Sequence, residues 1–211
     1  MKHFGLALLL CTPPIAQAEI HTVRVDGVVT SVDNSDGLLP LGASAGDAFS
    51  ITYVLDDSVS DTSPSVEQGT YYGAILSMTA ETNGQAFSII PGDWLAGYQA
   101  SINDDSNFDG RDVWFVAASL SSSLPPPAQP RYVLNVTLRT PGPSATLLSD
   151  DSLVAVPNLP AATSASLALL ATTYTADWSA DQEDVLRARV TTLAAIADAD
   201  FTPLADARNH P

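Results

Sequence analysis

An all-β fold, a single antiparallel β-sandwich of jelly-roll type, is the class this sequence predicts. Three observations predict it. The segments FSITYVL and RYVLNVTLR alternate apolar and polar residues with period two, as half-buried strands do. Asn83-Gly84 sits between two apolar runs, and this pair is preferred in the tight hairpin turn because both residues tolerate φ > 0. A second hairpin is expected to join Tyr98–Ile102 to Val113–Ala117 through the polar loop NDDSNFDGRD.

The first strand is expected over His21–Val32. Its alternation changes phase at Gly27, which suggests a bulge. In FSITYVL, Phe49, Ile51, Tyr53 and Leu55 share one face; in RYVLNVTLR, Tyr132, Leu134, Val136 and Leu138 do. The Asn-Gly hairpin spans Gly73–Ile90. Ser121–Pro130, SSSLPPPAQP, reads as a stiff polyproline-like crossover within one domain. At the C-terminal end two periods compete. Leu186, Val190, Leu193 and Ala197 recur at helical spacing, and Ser179 with Gln182 resembles a capping box. Leu186, Ala188 and Val190 also alternate as in a strand. A short C-terminal helix is therefore the alternative to a closing strand over Val185–Leu193. Residues 198–211 read as a flexible tail.

Ahead of this domain, Met1–Ala18 has the form of a cleavable secretory signal peptide. Lys2 gives a positive start, Phe4–Cys11 is an apolar run, Thr12-Pro13-Pro14 breaks it, and Ala16-Gln17-Ala18 is a small-residue cleavage site before Glu19. The run is far shorter than the roughly 20 residues a membrane span needs. Lipidation at Cys11 would want a small residue before it, and Leu10 stands there. The expected mature domain is 19–197, secreted or periplasmic. Removing the leader takes away the only Cys and the only Lys, leaving 24 acidic residues against 7 Arg, a formal charge of −17. Such a chain has no disulfide and depends on packing alone. Its charge repels nucleic acid and anionic lipid, and no segment after the leader is apolar enough to span a membrane.

Candidate sites are sparse. Asp105-Ser106-Asn107-Phe108-Asp109-Gly110 places oxygen side chains at alternate positions with Gly sixth, the opening of a calcium loop. Val116 stands where an EF-hand needs Glu, so a looser site of Asp105, Asn107, Asp109 and Asp112, with Asp104 nearby, is the calcium reading. The same residues build ordinary hairpin turns, and both readings stand. No cofactor is firmly expected, and calcium is the one candidate. Gly42-Ala43-Ser44-Ala45-Gly46 matches the G-x-S-x-G nucleophile elbow, but a strand follows it and His21 lies upstream, the reverse of hydrolase order. Asp56, Asp57 and Asp61 could supply paired carboxylates for glycoside cleavage. Trp94, Trp114, Trp178, Tyr71, Tyr72 and Tyr98 could stack on sugars or fill the core. Asn135-Val136-Thr137 is a glycosylation sequon set in an expected strand.

The pieces occur in an order that resembles a group of exported bacterial proteins, many of which carry PEP-CTERM sorting tails. The matching stretches are Gly27–Asp33, Gly46–Ser50, Tyr53 with Asp56, Asp61 with Pro64, Gly69–Tyr71 and the Asn83-Gly84 hairpin. The resemblance implies one β-sandwich and a closing strand over Val185–Leu193, and it carries over no catalytic residues. This sequence lacks the Pro-Glu-Pro, the terminal apolar span and the final Arg cluster of the tail. The expected role is non-catalytic: a binding or structural module of the cell envelope or extracellular matrix, with an extracellular polysaccharide or an envelope protein as partner. The alternative is a secreted glycan-active hydrolase using paired Asp residues.

Overall fold

The computed structural model describes residues 19–63, 68–89, 98–103, 112–120, 130–140, 157, 159–162, 164–174 and 180–196. The leader, residues 104–111 of the expected calcium loop, Trp94, Trp178, the Pro-rich crossover up to Gln129 and the tail lie outside them. Ten strands fill most of the rest: β1 (Ile20–Asp33), β2 (Ala48–Asp56), β3 (Gln68–Tyr72), β4 (Ile75–Thr82), β5 (Gln85–Ile89), β6 (Tyr98–Asn103), β7 (Val113–Leu120), β8 (Arg131–Arg139), β9 (Ser164–Tyr174) and β10 (Ala180–Ile196). Among the described residues the one helical element is a single 3-10 turn at Leu159–Ala161.

All ten strands belong to one antiparallel sheet, in the order β3-β6-β7-β8-β9-β10-β1-β2-β4-β5. Its connectivity requires it to curl. β3 and β4 stand first and ninth in that order, yet only Gly73 and Ala74 separate them in the chain. A flat sheet would set them about 38 Å apart at about 4.8 Å per strand. The chain between Tyr72 and Ile75 reaches only about 11 Å. The sheet therefore rolls until its ends approach, and Gly73, at φ 84°, makes the sharp turn no β-branched residue would accept. Across the rolled interior, Tyr53 of β2 lies against Trp114 of β7 with ring centroids 5.7 Å apart, and Phe87 of β5 meets Tyr132 of β8 at 4.9 Å.

The alternating segments form strands whose apolar faces point inward. Phe49, Ile51, Tyr53 and Leu55 are buried, as are Leu134, Val136 and Leu138, and they join one continuous core. The Asn83-Gly84 turn is present, with φ of 51° and 74° and Thr82 paired to Gln85. The β6–β7 hairpin pairs Tyr98 with Ala118 through Asn103 with Val113.

Two expectations change. The helical alternative for Val185–Leu193 gives way to a strand, because β10 pairs on both flanks, with β9 and with β1. The phase of β1 does not switch at Gly27. Val23, Val25, Gly27 and Val29 all lie inward, and the switch comes at Thr30, the extra residue between Val29 and Ser31 in the register with β10. At Gly27 the extra residue belongs to the partner strand, Thr191. Gly27 is needed for space: a Cβ there would lie 2.6 Å from the Arg189 carbonyl oxygen and 3.1 Å from Leu167 Cδ1.

Loops seal the assembly with side-chain carboxylates. On the outer side of β3, the Thr70 N–H donates to Asp61 Oδ1 at 2.7 Å and the Thr70 carbonyl accepts from the Thr62 N–H at 2.8 Å, covering backbone groups that would otherwise invite another strand. The β1–β2 connection sends Leu39 and Leu41 into the core.

Candidate functional site

Two places gather chemistry. The first is a groove of about 340 Å³ on the outer face of β1, β2, β4 and β5. Register builds it. Asp26 pairs with Ser50, Ser50 with Glu81, and Glu81 with Ala86, so one outward row crosses four strands. Arg24 lies diagonal to that row and reaches along it. Its Nε donates to Asp26 Oδ1 at 2.7 Å, its Nη2 donates to Ser50 Oγ at 3.1 Å, and its Nη1 stands 3.5 Å from Glu81 Oε2. Ala48, Ser50 and Ala86 add little bulk to the lining, which leaves a hollow between the longer side chains. One guanidinium faces two carboxylates, so the groove carries net negative charge. It offers donors and acceptors in a row, a pattern suited to hydroxyl-rich or cationic ligands and hostile to anions.

One wall is set by the loop ahead of β2. Asp47 Oδ2 accepts from the Ser44 N–H and from Asn83 Nδ2, both at 2.7 Å. The Asn83 bond, then the Ser44 bond, hold the Asp47 carboxyl below its ordinary value. Gly42 N–H donates to Gln85 Oε1 at 2.7 Å. The groove's turn and the loop thus brace each other.

The second place is where β1 begins. Glu19, His21 and Asp57 continue the inward rows of β1 and β2 toward the sheet's rim, where the apolar residues stop. Glu19 N–H donates to Asp57 Oδ1 at 2.8 Å, and His21 Nε2 is 3.3 Å from Asp57 Oδ2. The Glu19 N–H, then His21, lower the Asp57 carboxyl from its ordinary value. One ligand atom from each residue lies within 4.8 Å of the others, close enough to share a metal ion.

The other sequence candidates disperse. Ser44 sits in the turn closed by Asp47, and the N–H of Gly46, two residues on, donates to the Val29 carbonyl. Val29 is eight residues along β1 from His21, about 26 Å at strand rise, so Ser44 and His21 form no dyad. Asp56 Oδ1 accepts from the Ser58 N–H and Oγ, Asp57 serves Glu19 and His21, and Asp61 serves Ser63 and Thr70. Each acid holds a different piece of backbone. Of the expected calcium ligands Asp105, Asn107, Asp109 and Asp112, Asp112 alone is described, and the other three lie outside the described residues. It is buried, and its N–H donates to Thr140 Oγ1. Trp114 and Tyr71 are core residues, while Tyr72 is exposed. Asn135 lies within β8.

Sequence reasoning missed Asp184 and the Arg24–Asp26–Glu81 row. Asp184 is fully buried and accepts from the N–H groups of Asp36 and Leu38. Its signal was present: it shares the inward phase of Leu186, Ala188 and Val190, where a carboxylate has to find donors.

No family model matches the chain, and neither a curated protein nor a solved structure does. Among the described residues no helix is long and apolar enough to cross a membrane.

Proposed function

We propose that the protein is an exported, non-catalytic binding module of the cell envelope or extracellular matrix, working in the periplasm or secreted, and that the outer groove takes an extracellular polysaccharide. The observation that carries the reading is the Arg24–Asp26–Ser50–Glu81 row. Charged groups held by one another present fixed hydrogen-bonding positions, which suit sugar hydroxyls. A concave site with a few convergent polar groups is the usual form of a ligand site. The leader-like start and the acid-rich, Lys-free mature composition support export and disfavour nucleic acid and anionic lipid. We read the rolled sheet as a jelly-roll-like sandwich scaffold, supported by the ring contacts that join β2 to β7 and β5 to β8. The resemblance to exported bacterial β proteins supports the same scaffold.

The test is affinity electrophoresis of the chain from Glu19 onward through gels carrying neutral or acidic polysaccharides, with product analysis of the same mixtures. Retardation by a neutral glycan, lost in Glu81→Gln and Arg24→Gln without loss of fold, is the expected result. Free migration in every gel overturns the ligand class. Chain shortening abolished by one Asp→Asn change overturns the non-catalytic reading in favour of a glycan hydrolase.

A further inference from the structure

We infer that leader removal creates a Cu(II) site at the new N-terminus, in which Glu19 and His21 bind the metal and Asp57 orients the imidazole. The inference rests on the export reading, since it needs the cut between Ala18 and Glu19.

That cut leaves a chain beginning Glu19-Ile20-His21. A free α-amine with His in third place is a chelating sequence by simple geometry. One metal can take the amine, the backbone nitrogens of Ile20 and His21, and the imidazole Nδ1, closing fused rings in one plane. Four nitrogens in a plane suit Cu(II) first and Ni(II) next. The uncut precursor has an amide at Glu19 and so lacks the amine that anchors the rings.

The structure keeps these residues together at the start of β1 and open to solvent. Glu19 is exposed, and Ile20 is 40% exposed although it is a large apolar residue. Metal therefore reaches the segment from solvent. The Glu19 carbonyl accepts from the Asp57 N–H, which fixes the ladder phase. Glu19 and His21 are the hydrogen-bonded positions toward β2, and the Ile20 N–H points away from it. A planar chelate needs the three backbone nitrogens turned to one side, so residues 19–21 leave the strand on binding and give up the Asp57 N–H bond to the Glu19 carbonyl and the His21 N–H facing Leu55, while β1 from Val23 onward stays paired. The His21 ring is already turned so that Nε2 meets Asp57 Oδ2 at 3.3 Å. This leaves Nδ1 for the metal. A metal-bound His commonly gives its other N–H to a carboxylate, and Asp57 stands at that position. Its second oxygen, 2.8 Å from the Glu19 nitrogen, holds the amine beside the ring before metal arrives.

The balance is one of protons alone. The ammonium proton and the amide protons of Ile20 and His21 pass to solvent as the metal–nitrogen bonds form. Imidazole binds as the neutral base. No electron is transferred.

The experiment has two arms. In the first, the full precursor is expressed in a secreting bacterial host and the N-terminus of the exported protein is read by mass spectrometry. A start other than Glu19 overturns the processing premise alone. In the second, a chain beginning at Glu19 is released from a fusion by a protease and titrated with Cu(II), followed by visible absorption and electron paramagnetic resonance. One equivalent with a four-nitrogen, square-planar signature is expected. A chain that keeps Ala18, and His21→Ala, should each lose that signature. Asp57→Asn should keep it with affinity about ten- to a hundredfold weaker. A mixed oxygen–nitrogen signature, or copper binding unaffected by the extra Ala18, overturns the site. Affinity unchanged in Asp57→Asn overturns the orienting role.

Discussion

Asp184 Oδ2 accepts the Leu38 N–H at 2.7 Å, tying a fully buried position of β10 to the β1–β2 connection. The same carboxylate takes the Asp36 N–H at 3.2 Å, and Gln182 Nε2 reaches Asp36 Oδ1 from the same strand. With these bonds made, Leu39 and Leu41 enter the core. Asp184→Ala leaves two backbone donors without their acceptor, which costs about 2–4 kcal/mol. The thermal midpoint should fall by about 5–15 °C for a chain of this size. Asp184→Asn, which keeps one acceptor, should fall between. Calorimetry of the three proteins checks the order. Equal midpoints would show that the connection is held by its leucines alone.

Gly27→Ala tests the close approach of β1 and β10. The new Cβ would sit 2.6 Å from the Arg189 carbonyl oxygen, a backbone atom that cannot swing aside. The bulged register around Thr191 has to shift to make room. A loss of about 1–3 kcal/mol is expected, in the range of overpacked cores, read as a lowered urea midpoint with unchanged slope. A midpoint equal to that of the parent would mean the bulge relaxes freely.

How far the fold could be read from the chain depended on whether the strands were regular. RYVLNVTLR became β8 with its expected bounds, because its alternation is uninterrupted and it pairs on both sides. β10 was obscured by its own bulge. Leu186, Ala188 and Val190 alternate; then Thr191 is inserted, and Leu193 pairs with inward-facing Val25. The inserted residue turns a step of two into a step of three, which in sequence imitates a helix. The single rolled sheet was hidden for another reason. Nothing local says that β3 pairs with distant β6 instead of with β4 beside it. The groove was equally hidden, since Asp26, Ser50 and Glu81 meet only through the register of three strands. The Glu19–His21–Asp57 corner was half visible: its residues were noted singly, and pairing brought them together.

Tyr53 offers a test with the opposite sign. Its ring packs on Trp114 in the core, and its hydroxyl is fully buried with no hydrogen-bond partner among the described residues. Burial also pushes its ionisation well above the ordinary tyrosine value. A buried hydroxyl without a partner is a net penalty. Tyr53→Phe removes it while keeping the ring contact, so stability should stay level or rise by up to about 1 kcal/mol. A loss of more than about 1 kcal/mol would reveal a partner for the hydroxyl and contradict this account.

Asp47 links the groove's wall to pH. Asn83 Nδ2 and the Ser44 N–H favour its charged form and hold the folded carboxyl below its ordinary 3.8. The unfolded chain therefore takes up a proton first as pH falls. The stabilisation is present above the unfolded value and is lost as pH drops through the lower folded value. Asp47→Asn should be less stable than the parent at about pH 6, and the gap should close below about pH 4. Thermal midpoints of both proteins across that range check the prediction. A gap independent of pH would assign the effect to the shape of the 42–47 loop and not to the charge on Asp47.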